Sequence, residues 1–233
     1  MTDPQVFADT RDMYMVHTMF RREFAALPEL VRGVAAGDTE RAQLIAEHIS
    51  MLTAVLGAHH RAEDAHLWPK LLDRGGEDVA PVVHAMEGHH ERIEQLSAQT
   101  AVVLEEWRGD ASSVKGERLA DVLDRLSGLL YEHMGVEEQR VLPLAGMYVT
   151  AAEWHAMSGA AGGGLPPGKM PLIFAMTLYE ADPEVIENTL GTLPHEVRTM
   201  LQEQGPRDFA AYSERVHGTP TPRRSIPPLR SST

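Results

Sequence analysis

Residues 57–70 read GAHHRAEDAHLWPK, and they place three histidines and two carboxylates in a segment whose neighbours on both sides have the pattern of a buried helix face. Burying an unpaired carboxylate costs several kcal/mol, so such a group lies inside a protein only when something pairs with it. The stretch therefore predicts a helix that carries a partnered polar site where leucines would normally pack.

The spacing of histidine, glutamate and proline in this stretch occurs a second time in the chain. Both copies have offsets of four and ten residues, and they comprise His59, Glu63 and Pro69 in HHRAEDAHLWP, and His133, Glu137 and Pro143 in HMGVEEQRVLP. Histidine and glutamate four residues apart lie on one face of a helix, and both can then reach one metal ion or two adjacent ions. A single copy is explained by an ordinary surface pair, but repetition on an inward face favours metal ligands.

Hydrophobic periodicity and helix breakers predict four helices and no strands. The first runs over residues 9–26, with a short continuation to 35 beyond Pro28, and the others run over 38–72, 79–107 and 116–147. Apolar residues recur alternately every three and four positions, which is the pattern of helices that pack nearly parallel in a bundle. The sequence therefore predicts an all-α bundle over residues 1–150.

Histidine or glutamate falls on an inward face of each predicted helix. The first helix carries His17, the second and fourth carry the repeated pairs, and on the third helix either His90 or His89 points inward. A structural zinc site needs only four ligands. Four nitrogens and two carboxylates better suit two ions of the iron or manganese type with open positions for a small ligand, although affinity alone would favour zinc or copper.

The composition excludes several other kinds of site and partner. The chain has 233 residues, 43% of them hydrophobic, so it can form a sizeable core. It contains no cysteine, which excludes disulfides, thiolate zinc sites and cysteine nucleophiles. A formal net charge of −13 argues against nucleic acid and anionic membranes as partners. The polar, acidic N-terminus and the lack of a long apolar run predict a cytoplasmic protein.

Four segments in this order resemble the hemerythrin-like family, also called the HHE cation-binding domain. They are VHTMFRREF, HHRAEDAHLWP, MEGHHERI and EHMGVEEQRVLP, and the resemblance covers about residues 9–147. It implies an up-down-up-down four-helix bundle around a non-haem di-iron centre, in which carboxylates bridge the irons and histidines cap them. The region over about 166–218 is similar to a helical extension of bacterial members.

The ligand set that the resemblance implies is His17, His59, Glu63, His90, His133 and Glu137. His90 is preferred to His89 because MEGHHERI matches the family where histidine directly precedes the glutamate of HERI. The oxygen-carrying animal proteins have a further histidine one turn after the third-helix ligand, and Glu94 at that position argues against reversible O2 transport. Those proteins place the fourth-helix carboxylate five residues after histidine, which gives Glu138 as the alternative to Glu137.

Polar residues elsewhere lack this pattern. Four of them fall off the inward faces and are expected to be solvated: His60, Asp64, His66 and His84. His48 lies on nearly the same face as His59, and we expect it to have a structural or surface role, with a role beside the metal as the alternative. His155, His195 and His217 lie outside the predicted bundle, and they suggest no site.

The chain changes in character after Thr150. GAAGGGLPPGK, at residues 159–169, predicts a flexible connection, and an amphipathic stretch and a short helix near 194–204 follow it. Residues 151–218 thus predict a helical extension with too little apolar content to fold alone, and we expect it to pack on the bundle. Residues 219–233 are rich in proline and serine, and this composition predicts a disordered tail.

The leading functional prediction is a di-iron protein that binds or processes O2, NO or H2O2, with two iron ions as cofactor and manganese or zinc less favoured. One alternative is a di-iron oxidase or oxygenase that acts on an organic substrate. Another is a non-catalytic, iron-responsive sensor or metal-storage protein. A cavity that reaches the metals and holds more than a diatomic molecule would favour the oxidase or oxygenase. The sequence makes no prediction of oligomeric state.

Overall fold

A computed structural model describes residues 6–165 and 168–225. Within these ranges the regular secondary structure is helical, apart from an isolated bridge between Phe7 and Thr150, so the predicted all-α class is confirmed. The α-helices are α1 (Arg11–Arg32), α2 (Thr39–His66), α3 (Trp68–Gly75), α4 (Ala80–Arg108), α5 (Ser113–Val136), α6 (Leu142–Tyr148), α7 (Ala151–Gly163), α8 (Met170–Leu178), α9 (Pro183–Gly191), α10 (His195–Glu203) and α11 (Gly205–His217). A 3₁₀ turn, Gly76–Asp78, precedes α4, and a π-helical turn, Glu137–Val141, joins α5 to α6.

The four long helices α1, α2, α4 and α5 pack around one large core. α1 contacts α2 and α5, and α4 contacts the same two helices. Phe20 and Phe24 of α1, Leu52 of α2, and Leu123 and Leu126 of α5 are almost completely buried in this core. All five belong to the apolar faces predicted from the three-and-four spacing, so the hydrophobic effect holds these helices together. Within the described residues, none of the helices is both long enough and apolar enough to span a membrane.

Proline affects the long helices differently from the prediction. α1 runs unbroken through Pro28, because Pro28 and its neighbours Leu27 and Val31 are buried, and their packing offsets the hydrogen bond that proline removes. The predicted second helix instead divides into α2 and α3 just before Pro69. Pro69 and Pro143 each occupy the first turn of a short new helix, where a missing N–H costs no hydrogen bond.

Helix α7 occupies part of the glycine-rich segment for which the sequence predicts a flexible connection. Its first turn is a capping box, in which the Thr150 hydroxyl accepts from the N–H of Glu153 at 3.3 Å and the Glu153 carboxylate accepts from the N–H of Thr150 at 3.0 Å. Trp154 and Met157 are buried where α7 packs on α2, and this burial offsets the low helix propensity of the glycines. Residues 166 and 167 of the predicted connection lie outside the described part of the chain.

The helices after α7 also contact the bundle, with α8 and α9 on α1, and α11 on α2. Arg22 of α1, which is 4% exposed, is the centre of the polar contacts. Its guanidinium donates to the Glu23 carboxylate at 2.7 Å and to Glu180 at 2.9 Å. The same group donates to the Met176 carbonyl at 2.8 Å and lies 5.2 Å from the centroid of the Tyr179 ring. A buried cation with these partners fixes α8 against α1.

The described part of the predicted tail makes contacts with the extension. The N–H and the hydroxyl of Ser225 donate to the Glu180 carboxylate, at 3.0 and 2.9 Å. The Tyr179 hydroxyl donates to the carbonyl of Pro222 at 3.1 Å. The chain up to Ser225 is therefore packed on α8 and the residues that follow it, whereas residues 226–233 lie outside the described part and their disorder stays a prediction.

Candidate metal centre

Histidine and glutamate side chains from α1, α2, α4, α5 and the π-helical turn converge inside the protein. They form two groups, with His60, Glu63, His90 and His133 in the first, and His17, His59 and Glu137 in the second. Within each group, one donor atom from every residue lies within 4.8 Å of the corresponding atoms of the others, and all seven residues are buried. This spacing suits one cation for each group.

Glu63 lies between the two groups. One turn of α2 separates it from His59, and its Oε1 lies 3.2 Å from the Nε2 of that histidine. Its other oxygen, Oε2, lies 3.4 Å from the Nε2 of His90 on α4. The two oxygens of one carboxylate therefore face histidines of different groups, so Glu63 could help to hold a cation in either group.

Glu137, from the other copy of the motif, also lies between the two groups, but through a single oxygen. Its Oε2 lies 3.3 Å from the Nε2 of His17 and 3.4 Å from the Nε2 of His133. Glu137 begins the π-helical turn, in which the N–H of Leu142 bonds to the Glu137 carbonyl five residues back. The wider turn holds one more residue than an α-helical turn, and both Glu137 and Glu138 are buried in it.

The donor atoms that face the centre have no hydrogen-bond partner among the described residues. They are the Nε2 atoms of His17, His59, His60, His90 and His133, and both carboxylate oxygens of Glu63 and Glu137. A buried polar atom without a partner costs about 1–3 kcal/mol, and more when it is charged. A cation in each group would give a partner to one donor atom from each of the seven residues, and nitrogen with carboxylate oxygen is a donor set that suits iron.

Two carboxylates outside the centre orient histidines that point into it. Nδ1 of His17 lies 2.9 Å from Glu138, and Nδ1 of His90 lies 2.7 Å from Asp64. A proton on Nδ1 that is donated to a carboxylate leaves the lone pair of Nε2 directed at the centre, which is the form that binds a metal. Arg21 also donates to Glu138 at 2.7 Å, so that carboxylate is held in place from two sides.

Burial and neighbouring charges shift the pKa values of the centre in opposite directions. Burial, together with repulsion from Glu137, raises the pKa of Glu63 to about 8. Burial lowers the pKa of His133 to about 3 despite the nearby Glu137. Burial also disfavours the protonated form of His90, yet the Asp64 and Glu63 carboxylates raise the pKa of this histidine to about 9. Some donors therefore keep protons in the protein alone, and binding of a cation releases them.

The structure brings together the six residues of the expected ligand set and separates them from their two alternatives. The six are His17, His59, Glu63, His90, His133 and Glu137. His89 is buried but belongs to neither group, and its ring centroid lies 5.9 Å from that of His133. Glu138 contacts Nδ1 of His17 and the guanidinium of Arg21, so it lies behind a donor instead of facing the centre.

Two residues that the sequence predicts to be solvated contribute to the site. His60 is 6% exposed, its ring stacks on that of His90 with centroids 4.0 Å apart, and its Nε2 belongs to the first group. Asp64 is partly exposed but holds His90, as described above. One sequence signal could have identified Asp64: an acidic residue directly follows the glutamate in both copies of the motif, Asp64 in one and Glu138 in the other. The doublet of adjacent histidines gives no such signal for His60.

A second polar cluster, the Glu23 cluster, consists of Glu23, His48 and His217. Their donor atoms also lie within 4.8 Å of one another. The Nε2 of His217 lies at 3.1 Å and that of His48 at 3.3 Å from the same oxygen of Glu23. Arg22 donates to the other oxygen at 2.7 Å, and the Tyr212 hydroxyl lies 2.9 Å from Nδ1 of His48. His48 is thus buried between Glu23 and Tyr212 and belongs to neither group of the metal centre, whereas nothing in the sequence pattern indicates His217.

A cavity of about 820 Å³ reaches the metal centre from the side of the C-terminal helices. His59 and Glu63 form part of its wall. Most of the remaining lining comes from α1 and α2 and from α7, α8 and α9. The cavity is far larger than a diatomic molecule, and its size is typical of a site for an organic ligand.

Comparison with known proteins agrees with this donor set. The hemerythrin HHE cation binding domain matches residues 9–145, which is more than half of the chain and contains both histidine and glutamate groups. Neither the curated proteins nor the solved structures gave a match to this sequence. The matched region holds α1 to α5 and most of α6, and the helices after α6 lie outside it. The chain therefore belongs to the family of hemerythrin HHE cation binding domains.

Proposed function

We propose that the protein is a non-haem di-iron protein that binds or processes a small ligand such as O2, NO or H2O2. The observation that carries the proposal is that buried donor atoms without partners converge in two groups. Each group includes one glutamate, and that glutamate also lies close to a histidine of the other group. The proposed ligands are His17, His59, Glu63, His90, His133 and Glu137, and the geometry adds His60 to them. Two iron ions held in this way would supply redox chemistry and open coordination positions.

The surrounding residues would keep the iron ligands in their binding form. Glu138 and Asp64 accept the Nδ1 protons of His17 and His90, so neither ring can turn without breaking that hydrogen bond. Burial keeps bulk water away from the centre and strengthens the attraction between the carboxylates and a cation. The ring of Phe20 lies edge-on to His59, with centroids 5.5 Å apart, and supplies part of this apolar surround.

We further propose an up-down-up-down bundle over residues 1–150, followed by a helical extension over 151–218. The closed set of contacts among α1, α2, α4 and α5 supports the bundle, because neighbours along the chain are also neighbours in space. The boundary near 150 is supported by the family match, which ends at 145. Contacts of α7, α8, α9 and α11 with the bundle support a role for the extension at the site.

An oxidase or oxygenase that acts on an organic substrate is the second candidate, and the cavity favours it. A protein that handles only diatomic molecules or peroxide has no need of about 820 Å³ of space beside two of its ligands. In this version, the iron centre would activate O2, and the walls of the cavity would hold the organic molecule beside it. A metabolite that accelerates reoxidation of the reduced protein would identify this activity.

Metal content tests the first proposal. Protein purified without a chelating tag should contain about two irons per chain by mass spectrometry, and protein loaded with 57Fe should give the Mössbauer spectrum of a coupled pair. His59→Ala and His133→Ala should each lower the iron content, since each removes a donor from a different group. His84→Ala is the matched control, because His84 is exposed on α4. One zinc per chain, or equal iron in all variants, would contradict the proposal.

A further inference from the structure

We propose that the cavity between the bundle and the C-terminal helices binds a neutral, largely apolar organic molecule, with part of that molecule beside His59 and Glu63. This inference rests on the proposed function, because it gives the iron centre an organic neighbour. It also goes beyond that function, because it names the class of molecule and the part of the chain that selects it. Four features of the cavity support it.

The first feature is the apolar wall. Phe20 of α1, Val55 of α2, Ile173 of α8 and Val185 of α9 line the cavity from different sides. Placing a molecule there removes apolar surface from water on both partners, which stabilises binding by about 25 cal/mol for each Å² buried. A polar or strongly hydrated molecule would lose its water contacts without recovering them, so the wall selects an apolar ligand.

The second feature is the concentration of methionine. Five of the twelve methionines of the chain line this one cavity: Met13, Met15, Met19, Met157 and Met170. Methionine has an unbranched, polarisable side chain that adjusts its shape to an irregular partner. The cavity can therefore change its outline around a ligand, as surfaces that bind several related apolar molecules do.

The third feature is the state of the charged groups. Among the described residues of the lining, Arg11 is the one arginine or lysine, and its guanidinium is already paired with Asp9 at 2.7 Å and with Glu184 at 3.0 Å. Asp12, also in the lining, accepts from the indole N–H of Trp154 at 2.9 Å. Away from the iron centre, an anionic group would have to break the Arg11 pairs or remain uncompensated beside acidic groups. The cavity therefore favours a neutral molecule over a carboxylate.

The fourth feature is the origin of the outer wall. The family domain ends at residue 145, whereas α7, α8 and α9, over residues 151–191, form one side of the cavity. The iron ligands thus come from the family domain, and much of the surface that would recognise an organic molecule comes from the extension. The extension therefore supplies one wall of a cavity whose other wall is the metal-binding bundle.

Binding of 1-decanol and of decanoate, which share a chain length and differ in charge, tests the inference. Calorimetry on iron-loaded protein should show saturable binding of 1-decanol at one site and binding of decanoate that is at least about tenfold weaker. Gly162→Leu should weaken 1-decanol binding at least about tenfold, since Gly162 lines the cavity and a side chain there meets open space. Gly128→Leu, at an exposed helical glycine with equally open surroundings, is the matched control.

A second variant, Ser158→Leu, places a side chain in the cavity from the preceding turn of α7. It allows the same test if Gly162→Leu fails to fold. Absence of 1-decanol binding to protein that holds two irons would overturn the inference and leave the proposed function standing. Equal binding by both filled variants and the Gly128→Leu control would overturn the location. Binding of 1-decanol that the filled variants weaken, in protein that takes up no iron, would support the apolar site and refute the proposed function.

Discussion

The metal centre and the Glu23 cluster are built from the same residue types at the same depth, yet they differ in how their charges are balanced. In the Glu23 cluster, Arg22 donates to one carboxylate oxygen and His217 contacts the other. Burial alone would raise the pKa of Glu23, but His217, His48 and Arg22 lower it below its ordinary value of 4.5. In the metal centre, both oxygens of Glu63 lack a hydrogen-bond partner among the described residues.

The comparison teaches that proximity of histidine and glutamate does not by itself identify a metal site. A cluster that contains its own arginine is compensated, and through His217 and Glu23 it links the last helix to α1. A cluster whose donors face one another without an arginine is compensated by protons that its own donors hold, or by a bound cation that replaces them. Bound iron should therefore contribute strongly to the stability of the metal centre and little to the stability of the Glu23 cluster.

Removal of iron should have the largest effect. Chelation should lower the free energy of unfolding by about 4 kcal/mol, if free iron stands about a thousandfold above its Kd, because the metal binds only the folded centre. Urea unfolding with and without chelator measures this. On chelation, the free energy of unfolding of the Glu23→Gln variant should fall by the same amount as that of the unmodified protein, since the Glu23 cluster holds no iron in this interpretation. Equal stability with and without chelator would show that the centre is compensated without metal.

Arg22→Met should have the next largest effect, a loss of about 3 kcal/mol in the free energy of unfolding. The substitution keeps the bulk of the side chain but leaves the buried carboxylates of Glu23 and Glu180 without their cation. The control is Arg32→Met, which removes exposed ion pairs and should cost at most about 1 kcal/mol. Iron content should stay unchanged in both. A loss of iron in Arg22→Met would mean that the two clusters are coupled.

Asp64→Ala should weaken iron binding about 10-fold to 100-fold, which corresponds to about 1.4–2.7 kcal/mol. The substitution frees the Nδ1 of His90, so the ring is no longer held with Nε2 towards the centre. Competition with a calibrated chelator measures the affinity. Asp73→Ala, at an exposed position in α3, is the control and should leave the affinity unchanged. If both variants bind iron equally, the Asp64 contact does not orient the ligand.

Tyr212→Phe should have the smallest effect, a loss of about 1 kcal/mol in the free energy of unfolding. It removes the hydroxyl that lies 2.9 Å from Nδ1 of His48, the counterpart in the Glu23 cluster of the Asp64 contact. Because no iron is bound through His48 in this interpretation, the iron affinity should not change. Iron loss comparable to that of Asp64→Ala would mean that the Glu23 cluster also holds metal.

The parts of the site that repeat along one helix could be predicted from the sequence. His59 with Glu63, and His133 with Glu137, share a face because of the helical period, and the duplicated spacing is enough to identify both pairs. The same reasoning does not identify His60, because a residue next to a ligand points about 100° away from it around the helix axis and is normally solvated. Its burial follows from the neighbouring helices, since its ring stacks on His90 of α4.

Contacts between distant segments could not be predicted from local patterns. Glu23 and His217 are 194 residues apart, and only the packing of the last helix on α2 brings His217 to the cluster. The unbroken α1 is another case, because the burial of Pro28 depends on the rest of the core. In both cases the deciding energy is tertiary packing, and a local pattern does not contain it.

The π-helical turn at Glu137–Val141 places a constraint on chain length as well as on composition. Deleting one residue there would replace the wide turn by a regular α-helical turn that has one position fewer. The arrangement that now buries both Glu137 and Glu138 in that turn would then be lost. We therefore expect this segment to tolerate conservative substitutions at its exposed positions, such as Arg140, much better than any insertion or deletion.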